Sequence, residues 1–362
     1  MKRLWLLALV LVTALPAAAT TTRILAPMDW WPVWAPDGSH VAFTRIYGNH
    51  LELDALDLRS HRVVHIGSNA GQLGPSWSSD GSRLAYSSGG VLYTVDRNGG
   101  HKARYVAPTR ALAPAWRPGT DELAYLTTKG AVNTDLWVAG VFWAGNAIGT
   151  PAWSPDGQQL AFQRDDGLYL LNGPGSGRRL VFVANPGAPA WSHDGTRIAF
   201  TAGNRGLLVV SVPGGKVTQV ITPRTTGAPS FSYDDTRIAV ATQQGIWASG
   251  SLLPLGGPGV SWSPTANVLI ASGPRQACPG HTALRESDRT AALTGSCTIA
   301  GTAGADVIEG TSSWGDVILA GAGTDKVHAN DGHTDRVSCG PGRDEVWADR
   351  SDKLSGCEIV HR

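Results

Sequence analysis

The chain has 362 residues, 42% of them apolar, which is enough to bury a substantial core. Only 16% are charged and the formal net charge is +1, so bulk nucleic-acid binding is excluded on composition. The 45 glycines and 22 prolines favour many short strands joined by tight turns over long helices.

Residues 1–19 read MKRLWLLALVLVTALPAAA. Lys2 and Arg3 form a positive start, Leu4 to Leu15 an apolar stretch, and Ala17-Ala18-Ala19 a small-residue cleavage site, the pattern of a signal peptide. No cysteine follows the apolar stretch, and no later segment is apolar for about 18 residues. The expectation is an exported protein, periplasmic or extracellular, with no transmembrane segment after cleavage.

A ten-residue phrase then recurs: WAPDGSHVAF at 34–43, WSSDGSRLAY at 77–86, WRPGTDELAY at 116–125, WSPDGQQLAF at 153–162, WSHDGTRIAF at 191–200, FSYDDTRIAV at 231–240 and WSPTANVLIA at 262–271. Its first aromatics stand 43, 39, 37, 38, 40 and 31 residues apart. A period near 40 marks a stacked or radial repeat. Most units open with Pro-x-Trp, pass through a D-G turn and continue with two or three further apolar runs, such as VLYTVD at 91–96 and RRLVFVA at 178–184. Four strands per unit with no room for helices predict an all-β chain, a β-propeller over 20–273. Seven starts predict seven blades. The last copy shows only two strands, so six blades is the alternative, and TTRILA at 21–26 is a candidate closing strand. The repeated Asp and Trp residues read as turn and packing groups. Trp30, Trp31 and Trp143 stand outside the phrase as candidate exposed aromatics, with core packing the competing reading.

These phrases resemble the TolB-like propellers built from WD40-like (PD40) repeats. The resemblance implies a non-enzymatic binding platform with a protein or cell-envelope partner at the mouth of the central channel. The chain leaves no room before Trp34 for the separate α/β domain of TolB, so contacts tied to that domain do not carry over. No G-x-S-x-G, H-E-x-x-H or complete P-loop occurs. A non-enzyme is therefore expected. The alternatives are a secreted polysaccharide lyase or hydrolase with its site at the channel mouth, and a structural cell-surface protein that folds with calcium.

Residues 274–298 read as a linker with a disulfide loop. From 299 to 362, Asp recurs at 306, 316, 325, 335, 344 and 352, each shortly followed by an apolar residue: Ile308, Ile318, Val327, Val337, Val346 and Leu354. This loose Gly-x-Gly-x-Asp nonapeptide resembles the RTX (haemolysin-type) repeats, which wind into a parallel β-roll and bind Ca²⁺ at their turns. The resemblance implies calcium along the odd turns, held by Asp306, Asp325 and Asp344 with Gly301, Gly321, Gly323, Gly340 and Gly342. The even turns are expected to be held instead by side-chain hydrogen bonds, His333 and the second disulfide. An Asp/Gly turn ladder that binds no metal is the competing reading. All four cysteines lie late; in an exported chain they read as two disulfides. Near-neighbour pairing, Cys278–Cys297 and Cys339–Cys357, is the expectation among three connectivities; a four-cysteine zinc site lacks C-x2-C spacing.

Overall fold

The computed structural model describes residues 21–25, 29–47, 50–60, 62–68, 70–71, 73–129, 133–220, 224–253, 259–266, 268–272, 298–301, 305–310, 315–330 and 332–362. The segment 1–19 expected to be a signal peptide, Cys278 and Cys297 lie outside these residues. Strand β1 (Thr21–Leu25) comes first. Six four-stranded antiparallel meanders follow. Blade 1 is β2 (Asp29–Trp34), β3 (His40–Tyr47), β4 (His50–Asp57) and β5 (Arg62–Ser68). Blade 2 is β6 (Ser76–Trp77), β7 (Arg83–Ser88), β8 (Val91–Asp96) and β9 (Ala103–Tyr105). Blade 3 is β10 (Ala111–Trp116), β11 (Leu123–Lys129), β12 (Asn133–Val138) and β13 (Val141–Gly145). Blade 4 is β14 (Ile148–Trp153), β15 (Leu160–Arg164), β16 (Gly167–Leu171) and β17 (Arg178–Phe182). Blade 5 is β18 (Ala190–Trp191), β19 (Arg197–Thr201), β20 (Leu207–Ser211) and β21 (Val217–Val220). Blade 6 is β22 (Thr225–Phe231), β23 (Ile238–Thr242), β24 (Gly245–Ala248) and β25 (Ser251–Leu253).

The blade count is therefore six, the alternative rather than the seven expected. The seventh copy of the phrase builds only a hairpin, β26 (Val260–Trp262) and β27 (Val268–Ser272). No third apolar run follows Ser272, and the free edge of β27 is taken by β1 in parallel, Thr21 opposite Val268 through Leu25 opposite Ser272. The candidate closing strand thus joins the two ends of the propeller segment.

Blades 1, 3, 4 and 6 start on an edge strand that carries a Pro two residues before the aromatic, and in blades 2 and 5 that Pro comes before the strand, as Pro75 and Pro189. An edge strand tolerates a residue without an N–H, and the pairing slips at this point in β2, β10, β14 and β22. The aromatic then reaches back to the previous ring position. The indole Nε1 of Trp77 donates to the carbonyl of Val33 at 2.9 Å, Trp153 to Ala115 at 3.3 Å and Trp191 to Ala152 at 3.0 Å. Trp34 of blade 1 donates in the same way to Ser261 of the hairpin at 3.1 Å, which places β26–β27 between blades 6 and 1. Removing one such donor, in Trp77→Phe, is expected to cost about 1 kcal/mol in urea unfolding, since the Val33 carbonyl loses a part-buried donor. A neutral result would show that packing alone carries the interlock.

The D-G turns are scaffold, as read. Ser78 Oγ donates to Asp80 at 2.6 Å, Ser154 to Asp156 at 2.5 Å and Ser192 to Asp194 at 2.6 Å. The next residue is left-handed: φ is 69° at Gly81, 68° at Gly157 and 69° at Gly195. The hydroxyl bonds hold the Asp80 and Asp194 carboxyls down at about 2.

After Ser272 the described chain resumes as a two-sheet parallel roll. One sheet is β28 (Thr298–Ala300), β30 (Val317–Leu319), β32 (Arg336–Ser338) and β34 (Lys353–Ser355). The other, β29 (Asp306–Glu309), β31 (Lys326–Ala329), β33 (Glu345–Ala348) and β35 (Ile359–His361), pairs through β29 with β1. One sheet of seven strands therefore runs from the propeller hairpin to the last strand of the roll. The apolar residue after each Asp points inward: Ile308, Ile318, Val327 and Val346 are fully buried, in one core with Trp262, Leu269 and Ala239 of the ring.

Candidate functional site

The meander puts the D-G turns and the third-to-fourth strand turns on one face of the ring. The second-to-third strand turns and the links between blades lie on the opposite, link face. There, between blades 2 and 3, lies a cleft of about 670 Å³. Its walls come from the link before β6 (Gly71, Leu73), the β7–β8 turn (Ser87, Gly89, Gly90), the entry of β10 (Arg110, Leu112) and the end of β11 (Thr128). Arg110 is the one ionisable group on this lining; its backbone is pinned by Ala111 N to Gly90 O at 2.9 Å and Thr128 N to Arg110 O at 3.0 Å. The lining offers a guanidinium and two hydroxyls, and neither carboxylate nor imidazole. It can recognise an anion and lacks an acid–base pair. Trp143 takes no part in a partner face: it is buried, its ring packed edge-on at 5.7 Å from Trp153. Trp31 is half-buried at a left-handed bulge with φ 48°. The side chain of Trp30 lies outside the described residues.

In the roll, the odd turns stack on one edge, as the 19-residue spacing requires. Asp306 N donates to Asp325 Oδ1 at 2.9 Å and Asp325 N to Asp344 Oδ1 at 2.8 Å. Asp344 N continues the ladder to Glu358 Oε2 at 2.8 Å. Gly301 lies against the Ala320 carbonyl, Gly340 against that of Gly321, and Gly342 against that of Gly323. All eight residues expected on this edge therefore lie in one stack. Asp325 and Asp344 are fully buried; each spends Oδ1 on a neighbouring N–H, while Oδ2 has no hydrogen-bond partner. Burial pushes the Asp325 carboxyl up to about 6, helped by repulsion from Asp306 and Asp344. A buried, oxygen-only anionic set with spare carboxylate oxygens fits a hard cation such as Ca²⁺.

Of the expectations about the even edge, side-chain hydrogen bonds are found there and the disulfide is not. The even turns carry the same ladder, Asp316 N to Asp335 Oδ1 at 2.6 Å and Asp335 N to Asp352 Oδ1 at 2.9 Å. The ladder needs only an Asp directly before each strand, whatever the glycine frame around it. The disulfide lies elsewhere: Cys339–Cys357 forms as paired, with Cα atoms 5.2 Å apart, but it follows β32 and β34 and so ties the odd turns at Gly340 and Glu358. His333 lies in the even turn between β31 and β32, as expected.

Two features escaped the sequence reading, the first of them recurring. Six residues after the blade aromatic, a basic side chain covers the next blade's aromatic: Arg83 over Trp116 at 5.0 Å, Arg197 over Phe231 at 5.2 Å and Arg237 over Trp262 at 4.7 Å. The repeat phrase itself holds that signal, in the basic residue after its turn. The second is a carboxylate–histidine cluster on blade 1, with Glu52, Asp54 and His65 gathered from β4 and β5.

No protein-family profile matches the chain, and no curated protein matches it. Among solved structures, the β-propeller domain of Cps50 (Swd1) from Myceliophteria thermophila superposes with a TM-score of 0.52 at 15% identity, over 66% of this chain and 90% of that one. TolB from Acinetobacter baumannii gives 0.41 at 20% identity, over 61% of this chain and 52% of that one, so the chain spans about half that protein's length. An oligogalacturonate lyase in complex with manganese gives 0.48 at 16% identity, over 60% of this chain and 73% of that one. Among the described residues no helix is long and apolar enough to cross a membrane. At these identities the Cps50 superposition speaks to architecture: the chain has the fold of a β-propeller, with four-stranded blades and a parallel-strand extension.

Proposed function

We propose that the chain is an exported, non-catalytic binding protein whose propeller engages a protein or cell-envelope partner at the link face. The observation that carries this reading is the cleft between blades 2 and 3, where Arg110 stands as the lone ionisable group among hydroxyls and glycines. A guanidinium in such a setting pairs with a carboxylate, so the partner presents an acidic side chain, a chain terminus or a uronate-like group. The roll extends the platform and is braced by Ca²⁺ on its odd edge. The ladder of buried aspartates supports this part.

A photo-crosslinking residue at Thr128, in the exported protein on intact cells, tests the platform. One envelope partner is expected to be captured, and Arg110→Glu is expected to weaken capture about 10–100-fold, the value of a charged hydrogen bond. Capture indifferent to Arg110→Glu would remove the cleft as the site. Turnover of the captured molecule would replace the reading with an enzyme.

A further inference from the structure

On blade 1 one sheet face changes character along its length. Val41 and Phe43 of β3 and Leu56 of β4 pack with Ile270 of the ring hairpin. Strand alternation continues this face through Arg45, Glu52, Asp54 and His65, which replace apolar packing by charge. Asp54 is only 4% exposed, so its carboxylate must be compensated. Arg45 faces Asp54 Oδ2 at 3.4 Å. His65 Nδ1 stands 3.1 Å from Asp54 Oδ1 and 3.8 Å from Glu52 Oε2, and all three ligand atoms lie within 4.8 Å of one another.

We infer that Glu52, Asp54 and His65 form a transition-metal site, most suited to Zn²⁺, separate from the calcium edge of the roll. Donor atoms around a tetrahedral zinc lie about 3.3 Å apart, given metal–ligand bonds of about 2.0–2.2 Å. The two distances from His65 Nδ1, 3.1 and 3.8 Å, lie close to that, and the two carboxylates stand within 4.8 Å of each other. The second argument is the outer shell. Each ligand's remaining polar atom already has a partner that fixes its orientation: His65 Nε2 faces Ser68 Oγ at 3.3 Å, Asp54 Oδ2 faces Arg45, and Glu52 Oε1 faces His50 Nε2 at 3.3 Å. Metal-bound histidines and carboxylates are held in this manner. Two carboxylates and one imidazole leave a fourth position open on the side of His65, whose side chain is 51% exposed. That position takes water or a ligand atom.

Zinc calorimetry on the chelator-treated protein, with the roll kept saturated in calcium, tests the site. One Zn²⁺ per chain is expected. His65→Ala should weaken it at least about 100-fold and Ser68→Ala about 10-fold, the usual effect of an outer-shell partner. The half-exposed His65 and exposed Ser68 leave the fold intact, which equal metal-free melting temperatures will verify. Asp325→Asn/Asp344→Asn should leave zinc affinity unchanged. The inference is overturned if no zinc heat appears, if His65→Ala binds as the parent does, or if binding is lost only with the roll variant.

Discussion

Adding 10 mM Ca²⁺ to the chelated protein is expected to stabilise it by about 1.4–2.7 kcal/mol, and Asp325→Asn/Asp344→Asn is expected to abolish that gain. The range is the mass-action value for dissociation constants of about 10⁻³–10⁻⁴ M, as in extracellular calcium modules. In a unit of this size it corresponds to a melting shift of about 3–10 °C. The argument starts from the ladder. Three carboxylates at 19-residue spacing are stacked in the odd edge; two of them are fully buried and each of those has one oxygen uncommitted. Ionised, they repel; a dication between them removes both the repulsion and the desolvation cost. The Asn pair keeps the Oδ1 bonds to the N–H groups of Asp306 and Asp325 and removes only the charge. A calcium-independent melting temperature, with the Asn pair at least as stable as the parent, would show a turn ladder that binds no metal.

Without calcium the proton takes the same role, and the sign of its effect follows. The Asp325 carboxyl, raised to about 6 from 3.8, holds its proton more tightly folded than unfolded. Its contribution is fully present below about pH 4 and is lost as pH rises through about 6. Asp80 and Asp194, lowered to about 2, act in the opposite sense: their contribution is present above 3.8 and is lost as pH falls towards 2. These turn carboxylates are exposed, so their part is small. Chelated protein should therefore weaken between about pH 4 and pH 6, and calcium should cancel the loss.

What could be read in the chain follows the range of the interactions. The D-G turns, the Pro-x-Trp edge strands and the Asp-then-apolar steps are local, and each formed where its residues predicted. The β1 closure was legible because TTRILA is a lone strand facing an incomplete last repeat. The blade count was not, because a start phrase marks where a blade begins and says nothing of whether four strands follow. The edge that the disulfide ties was not legible, because only the winding of the coils puts Cys339 and Cys357, which follow β32 and β34, at the odd turns. The Glu52–Asp54–His65 cluster joins residues from two strands whose register, Asp54 opposite His65, is fixed only by the hairpin between them.

Gly340→Ala is expected to cost about 4 kcal/mol in denaturant unfolding, against about 1–2 kcal/mol for Gly332→Ala. Both glycines are left-handed, with φ 88° and 94°, so both substitutions pay the same conformational penalty. They differ in what a methyl group would meet. At Gly332 no described residue lies within 4 Å, whereas at Gly340 the Gly321 carbonyl oxygen would stand at 1.8 Å. That oxygen belongs to the coil beneath, and the coil has little freedom to withdraw. Gly323 N is bonded to Pro341 O at 3.0 Å, Gly323 pairs in parallel with Gly342, and Cys339 beside Gly340 is tied to Cys357. Relief must spread through the stack or break it, which puts the substitution among the few that exceed ordinary point-mutation costs. Trp347, stacked between His328 at 4.3 Å and His361 at 4.8 Å, reports on the same coils by its fluorescence. Equal costs for the two substitutions would mean that the odd turns are not in van der Waals contact, and the calcium edge built on their stacking would fall with them.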